Sequence, residues 1–148
     1  MSPFIRIALL GALIVLGGFV RARAAEDSSG SLRFGGLGRT YLVHVPPGDA
    51  NAPRPLLLVF HGGGGTARGM PRFTRMDEVA DRAGLIVAYP QGIDRHWNDG
   101  RASIKNKADD VGFVRALIDT LERGYNVDRR RVYAAGISNG GIFVERLA

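Results

Sequence analysis

A serine near the end of the chain stands in a pattern that can support nucleophilic chemistry. Residues 132–135 are apolar and strand-like, and they lead into Gly-Ile-Ser-Asn-Gly at 136–140, a match to G-x-S-x-G. In this pattern a sharp strand-to-helix turn lifts a serine hydroxyl above the edge of a sheet. The flanking glycines are needed because the serine backbone is strained and neighbouring segments approach closely. The motif predicts Ser138 as a nucleophile, but in a chain with 21 glycines the surrounding elements must support it.

A run of four glycines follows the first strongly apolar segment. Residues 55–60 are apolar throughout, as in a parallel strand buried on both faces, and they run directly into His61 and glycines 62–65. In a serine-dependent enzyme such a backbone can aim N–H groups at the charge that develops on a carbonyl oxygen. A flexible loop and a phosphate cradle remain alternatives, although a phosphate loop would end in Gly-Lys-Ser/Thr and residues 66–68 do not. We expect His61 to brace the loop by hydrogen bonds.

Alternating strand and helix patterns position these two segments. The periodicity predicts strands at 32–34, 39–45 and 85–89 and helices at 75–82, with Phe73 on the buried side, and from Asp109 to about Arg123. Together with the strands before the glycine run and the serine, this order predicts an α/β fold with a mostly parallel sheet. An antiparallel hairpin lies at one edge and helices cover both faces. The serine and the glycine loop then both follow the carboxyl ends of strands, where ligands bind.

The stretch from 93 to 108 is polar and has no periodicity. A structureless segment of this length inside a compact domain is usually functional or mobile. Trp97, the only tryptophan, either lines a substrate-binding cleft or anchors this loop through its apolar ring. Asp110, at the start of the next helix, is expected to cap the helix or brace the loop.

The first 24 residues have the pattern of an export signal. Residues 1–6 end in a positive charge, Ile7–Val20 is apolar, and Ala-Arg-Ala at 22–24 offers a cleavage site between small residues. As a helix the apolar segment would rise about 21 Å, short of the roughly 30 Å of a bilayer core. We therefore expect cleavage near Ala24 and secretion rather than a stable membrane anchor. Residues 25–30 are then a flexible N-terminus, and 31–148 form the domain.

Composition excludes several chemistries. The chain has no cysteine, which excludes disulfides, thiolate metal sites and cysteine nucleophiles. Its three histidines, His44, His61 and His96, are too far apart for helical metal-ligand spacing, so no metal site is expected. Residues 25–148 carry a net charge of +3, and the arginine run at 129–131 has no aromatic stacking platform beside it. Nucleic-acid binding is therefore not expected.

Five segments together resemble a secreted α/β-hydrolase family, the polyhydroxybutyrate depolymerase-like group that also contains feruloyl and acetylxylan esterases. They are His61–Gly65, Tyr89–Gly92, Trp97–Gly100, Asp109–Phe113 and Gly136–Gly141. The resemblance extends from about Leu32 to Ala148. It implies a serine esterase that needs no metal or cofactor, with Ser138 as nucleophile and the backbone N–H groups of Asn139 and Gly63 as oxyanion donors. The implied substrate is a polyester oligomer, an acylated polysaccharide or a small ester.

The resemblance lacks one part of the expected machinery. In this fold the catalytic order is Ser, then Asp or Glu, then His, but residues 139–148 contain Glu145 and no histidine. Glu145 lies on the helix that follows the strand-to-helix turn at Ser138, which we call the elbow. From this helix it cannot orient a base. The chain therefore reads as the N-terminal half of the fold, truncated after the elbow.

We expect it to be inactive alone, because a serine needs an adjacent base, and poorly soluble, because the nucleophile strand would expose an apolar edge. A non-catalytic exported remnant or binding protein is the alternative, and His61 as the base is a third possibility.

Overall fold

A computed structural model describes residues 22–148 and shows a mixed sheet flanked by helices. The strands are β1 (Ala22–Arg23), β2 (Glu26–Phe34), β3 (Leu37–Val45), β4 (Gly48–Asp49), β5 (Arg54–Phe60), β6 (Ile86–Pro90) and β7 (Val127–Gly136). The helices are α1 (Met70–Thr74), preceded by a 3-10 turn at Ala67–Gly69, α2 (Met76–Ala83), α3 (Asp110–Gly124) and α4 (Asn139–Leu147). Most of the predicted export signal, residues 1–21, lies outside the described residues. Within the described part, no helix is long and apolar enough to cross a bilayer.

The main sheet has the strand order β2-β3-β6-β5-β7. Strand β3 runs antiparallel to both β2 and β6, whereas β5 is parallel to β6 and to β7. Strands β1 and β4 form a separate antiparallel pair. The α/β prediction is confirmed, with a hairpin at one edge and three parallel strands on the other side.

Both faces of β5 are buried, which explains its unbroken apolar sequence. Alternate side chains point to opposite faces of the sheet. Leu56, Leu58 and Phe60 pack into a core cluster with residues of α3 and α4, which include Phe113, Leu117 and Phe143. Leu57 and Val59 belong to a second cluster with Met70 of α1 and Ala80 of α2. Burial of each such side chain contributes about 1.5–3 kcal/mol, so the two layers hold the strand rigidly.

Residues 26–30 differ from the prediction of a flexible terminus. They form the first half of β2 and pair residue by residue with β3, from Glu26 opposite Val45 to Gly30 opposite Tyr41. Their burial alternates along the strand. A polar segment with little intrinsic strand preference is ordered here because β3 offers a long row of backbone partners.

The helical region after the glycine loop is split in two. Arg75 has a left-handed backbone, with φ 54°, and separates α1 from α2. Gly84 ends α2 in the left-handed conformation, with φ 67°, as expected of a helix stop. The prediction that Phe73 faces inward is wrong: it lies on α1 and is 71% exposed, because the break at Arg75 takes it out of the α2 periodicity.

Strand β7, which leads to Ser138, lies at the end of the described sheet. It pairs with β5 from Leu56 opposite Val132 to Phe60 opposite Gly136. Its other edge has no partner strand among residues 22–148, and Tyr133 on this strand is 54% exposed. An apolar edge of this kind can pair with another chain.

His44 ties three elements together. Its Nδ1 lies 2.6 Å from a carboxylate oxygen of Asp27 on β2, and its Nε2 lies 2.8 Å from one of Asp81 on α2. Burial lowers the pKa of the His44 imidazole, but the two hydrogen bonds outweigh it, and the pKa is raised overall. The protonated ring therefore clamps the N-terminal strand and α2 onto β3.

Replacement of His44 by Gln tests this clamp through the pH dependence of stability. Because the folded protein holds the proton more tightly than the unfolded chain, which titrates near pH ~6.5, the stabilisation is complete below that pH and is lost as the pH rises through the raised pKa. We expect the free energy of unfolding of the wild type to fall relative to His44→Gln between pH 6 and pH 9. Urea denaturation at several pH values measures it, and a difference that stays constant over this range contradicts the clamp.

Candidate active site

The turn between β7 and α4 holds Ser138 in an unusual backbone conformation. Its φ is 51° and its ψ is −119°, a region that a residue with a side chain occupies at a cost of about 1–3 kcal/mol. Helix α4 starts at the next residue, and the N–H of Ile142 donates to the Ser138 carbonyl at 3.0 Å. The Ser138 side chain is exposed, and its hydroxyl has no hydrogen-bond partner among residues 22–148.

Two glycines permit this turn. A Cβ atom on Gly140 would lie 2.5 Å from the carbonyl oxygen of His61 and 2.6 Å from that of Phe60, so α4 begins in direct contact with the end of β5. A Cβ on Gly136 would collide with the Gly140 carbonyl. The glycines of the motif are therefore required by close backbone approach rather than by flexibility.

The glycine loop lies directly beside the serine. A Cβ on Gly62 would lie 3.6 Å from Cβ of Ser138 and 3.3 Å from the carbonyl oxygen of Ile137. The loop is fixed by hydrogen bonds from Gly65 N to Gly62 O and from Gly64 N to Arg95 O, both 2.9 Å.

Two backbone N–H groups, one in the glycine loop and one at the start of α4, make no hydrogen bond within residues 22–148. The N–H of Gly63 has no acceptor in the part of the chain that the structure describes. The same holds for the N–H of Asn139, which is the first residue of α4 and so has no intrahelical partner. The two residues are close, because a Cβ on Gly63 would lie 3.7 Å from Cβ of Asn139.

His61 is buried and braces the loop, as predicted. Its Nε2 accepts from the backbone N–H of Gly92 and from the side-chain amide of Gln91, both at 3.1 Å. Its Nδ1 therefore carries the proton and donates to the Gly62 carbonyl at 2.8 Å. Burial lowers the pKa of His61, so the ring stays neutral and keeps these bonds. Both nitrogens are occupied, which excludes it as the base for Ser138 in this arrangement.

The side chain of Asn139 joins the elbow to the loop of residues 93–108, the long loop. Its Oδ1 accepts from the backbone N–H of Trp97 at 2.8 Å, and its Nδ2 donates to the Trp97 carbonyl at 3.0 Å and to Asp99 Oδ2 at 2.7 Å. The Asp99 carboxylate also binds Arg101, and this pairing lowers the pKa of Asp99 to about 2. The Asp99 carboxylate that accepts this bond is therefore ionised at neutral pH.

Trp97 lies in the core rather than in a cleft. Its side chain is fully buried, stacks on Phe143 with ring centroids 5.3 Å apart and meets Phe60 edge to face at 5.1 Å. Its indole N–H donates to the His61 carbonyl at 3.0 Å. Of the two roles predicted for Trp97, this position favours the loop anchor over contact with a substrate.

A buried ion pair holds the base of the same loop. Asp110 accepts from Arg39 at 2.7 Å, and its other oxygen accepts from Asn98 N at 2.7 Å and from Asn106 Nδ2 at 3.1 Å. Arg39 also lies 3.8 Å above the ring of Phe113. Asp109 rather than Asp110 caps α3, by accepting from the N–H three residues on. Asp110 is thus the loop brace of the two predicted roles.

A cavity of about 310 Å³ opens beside the elbow. Met70, Phe73 and Ile137 form its apolar wall, and His61 and Gly62 line it next to the serine. The exposed ring of Phe73 therefore forms part of the wall of this cavity. This cavity gives Ser138 an adjacent apolar surface.

The described residues contain one group with the atom types of a metal site, away from the serine. Ligand atoms of Asp27, His44 and Asp77 lie within 4.8 Å of one another. Both His44 nitrogens, however, approach carboxylate oxygens at 2.6 and 2.8 Å, which are distances for a shared proton. A zinc ion between them would hold each ligand at about 2.0–2.2 Å from itself, so the group as folded is an ion-pair network.

Comparison with known proteins identifies the family. A family model described as esterase PHB depolymerase matches residues 39–148. The chain belongs to this esterase family. The family prediction is confirmed, and with it membership of the carboxylic ester hydrolases.

Relatives of the PHB depolymerase esterase family cover most of this chain. NocK of Nocardia uniformis subsp. tsuyamanensis is 37% identical over 137 residues, which are 87% of this chain and 40% of that protein. Feruloyl esterase B of Neurospora crassa is 35% identical over 112 residues, 72% of this chain and 37% of that protein. The chain thus spans about 40% of the length of these relatives.

Solved structures show the same fold. An acetyl xylan esterase from Aspergillus awamori superposes with a TM-score of 0.65 and 19% identity, over 82% of this chain and 46% of that one. The S-formylglutathione hydrolase of Staphylococcus aureus gives a TM-score of 0.64 and 17% identity, over 80% and 50%. The α/β-hydrolase fold is therefore confirmed for the part that these proteins share.

Two contacts of the site were not expected from the sequence. Arg39 and the side chain of Asn139 take part in it, and only Asn139 had a signal, its place in the G-x-S-x-G motif. Arg39 and its partner Asp110 are 71 positions apart, and no local pattern connects them.

Substitution of Gly140 by Ala tests whether the close approach builds the elbow. We expect the free energy of unfolding to fall by about 1–3 kcal/mol or more, because the added methyl group meets two fixed carbonyl oxygens. Gly124→Ala is the matched control, since a Cβ there has nothing within 4 Å. Urea denaturation compares the two, and equal stability of both variants would mean that the elbow relaxes around the methyl group.

Proposed function

We propose that the chain carries the nucleophile and the oxyanion donors of a serine ester hydrolase. The observation that carries the proposal is the strained backbone of Ser138, with φ 51°, which presents an exposed, unpartnered hydroxyl beside two unused N–H groups. Strain of this kind persists at functional sites when the surrounding structure enforces it. Family membership supplies the reaction class.

In the proposed reaction, Ser138 Oγ attacks the carbonyl carbon of an ester while a base takes its proton. The negative charge then moves to the carbonyl oxygen, where the N–H groups of Gly63 and Asn139 stabilise it. Fixed donors of this type are worth a factor of about 10²–10³ in kcat each. As the intermediate collapses, the C–O bond to the alcohol part breaks, the protonated base gives its proton to the departing oxygen, and an acyl group stays on Ser138. Water then attacks this acyl group in a second round of the same steps, which releases the acid and frees Ser138.

The base is proposed to come from outside residues 22–148. Within these residues no histidine nitrogen is hydrogen-bonded to the Ser138 hydroxyl, and this includes Nε2 of His96, which has no hydrogen-bond partner there. His44 is held between two carboxylates, and both nitrogens of His61 are occupied. A histidine, oriented by an acidic residue, is needed next to the serine because its hydroxyl is a weak nucleophile alone.

The proposed substrates are carboxylic esters with an apolar part that fits the cavity beside Ser138. A polyester oligomer, an acylated polysaccharide and a small ester all contain such a bond. Feruloyl and acetylxylan esterases among the relatives favour acylated polysaccharides. No metal or cofactor is needed for this chemistry.

Labelling with a fluorophosphonate tests the nucleophile. We expect the complete protein to be labelled and to hydrolyse p-nitrophenyl butyrate, and Ser138→Ala to abolish labelling and lower kcat by about 10⁴-fold or more. The matched control is Ser103→Ala, an exposed serine of the long loop, which should leave both unchanged.

Persistence of the label in Ser138→Ala would refute the assignment. Residues 1–148 expressed alone are expected to show neither labelling nor turnover, because within residues 22–148 no histidine is hydrogen-bonded to the serine. Enzyme-like turnover by these residues as a soluble monomer would contradict an external base. A folded complete protein that is never labelled would instead favour the non-catalytic alternative.

We also propose that the protein is exported. The charged start, the apolar segment Ile7–Val20 and the small residues at 22–24 support a signal peptide. N-terminal sequencing of protein recovered outside the cytoplasm is expected to begin at Ala25. A mature chain that still begins at Met1 would contradict cleavage.

A further inference from the structure

The imidazole of His96 lies against the glycine loop with one nitrogen unused. A Cβ built on Gly63 would lie 3.1 Å from both Cδ2 and Nε2 of this ring, so the ring occupies the space that a side chain at Gly63 would fill. Its Nδ1 donates to the Asp94 carbonyl at 2.9 Å. The Nε2 atom therefore has a free lone pair, and it has no hydrogen-bond partner within residues 22–148. The ring is only partly buried, so a ligand can reach it.

The backbone before His96 is held in a costly conformation. Asp94 and Arg95 have φ values of 47° and 60°, the left-handed region that residues with side chains rarely adopt. The turn is closed by a bond from His96 N to Ile93 O at 2.9 Å and is joined to the glycine loop by the bond from Gly64 N to Arg95 O. Two consecutive strained residues thus place the His96 ring on Gly63 and fix it there.

The same segment is fixed to the elbow from the other side. The peptide group that follows His96 donates to Asn139 Oδ1 through Trp97 N, and the His96 carbonyl accepts from Asn106 Nδ2 at 3.1 Å. Gly92 must be a glycine because a Cβ there would lie 2.5 Å from that carbonyl oxygen. His96 is therefore positioned by the two elements that carry the proposed oxyanion donors, Gly63 and Asn139.

We propose that His96 is a substrate-binding residue that recognises a hydroxyl group close to the scissile ester. The inference rests on the proposed ester hydrolysis at Ser138. The N–H groups of Gly63 and Asn139 attract the ester carbonyl oxygen, whereas a lone pair on Nε2 repels it and attracts an O–H. The site therefore selects esters that carry a free hydroxyl, on either the acyl or the alcohol part.

Paired substrates test this selectivity in the complete protein. Methyl 3-hydroxybutanoate against methyl butanoate probes an acyl hydroxyl, and 2-hydroxyethyl butanoate against propyl butanoate probes an alcohol hydroxyl. In the pair that uses His96, His96→Phe is expected to lower the ratio of kcat/KM, hydroxylated over plain, by about twofold to tenfold, the value of one neutral hydrogen bond. A merely structural defect lowers kcat/KM equally for both substrates of a pair and leaves their ratio unchanged. An unchanged ratio in both pairs therefore overturns the proposal.

Lys105→Ala, an exposed position of the same loop, is the matched control and should leave both ratios unchanged. A binding measurement then separates this inference from the proposed function. In ¹⁵N-histidine-labelled Ser138→Ala protein, the hydroxylated ester of the responding pair should move the Nε2 resonance of His96 and its plain counterpart should not. Equal effects of both compounds overturn the role of His96 even if the protein hydrolyses esters. A selective shift in the Ser138→Ala protein, together with no ester hydrolysis by the wild type, supports the binding role and refutes the proposed reaction instead.

Discussion

The arrangement around Ser138 depends on the side-chain amide of Asn139. It makes three buried hydrogen bonds, two to the backbone of Trp97 and one to Asp99, so all of its partners lie on the long loop. A buried amide left without partners costs about 1–3 kcal/mol for each unsatisfied group, and the loop and the elbow therefore keep each other in place. Because the amide belongs to the residue directly after Ser138, any displacement of the loop is transmitted to the turn that holds the serine.

Strand β5 is the second constraint on the positions of the serine and the glycine loop. The end of β5 leads into the glycine loop on one side. On the other side the carbonyl oxygens of Phe60 and His61 lie so close to Gly140, at the start of α4, that they leave no room for a Cβ atom there. The strand is itself clamped between two core clusters. One rigid strand thus sets the separation between the serine and the loop, a distance that the proposed oxyanion site must hold to within about 0.5 Å.

Features with a local cause were predictable from the sequence. The unbroken apolar run of β5 indicated burial on both faces, Gly84 indicated a helix end, and the glycines at 136 and 140 indicated a tight turn. Each of these signals comes from neighbouring residues that share one steric or hydrophobic requirement.

Features that depend on distant partners were not predictable. Residues 26–30 look like a solvated terminus until β3 supplies their hydrogen bonds. The pairing of Arg39 with Asp110 joins a strand to a helix start, and the left-handed turn at 94–95 uses no glycine. In these cases tertiary contacts override the local preference of the chain.

The buried indole has a practical consequence. The chain contains a single tryptophan, and its ring lies where the long loop, β5 and α4 meet, with the His61 ring centroid 5.1 Å away. Its ultraviolet emission therefore comes from one chromophore at the junction of the site. Wavelength and quenching of that emission report whether the loop is docked on the elbow, without any introduced dye.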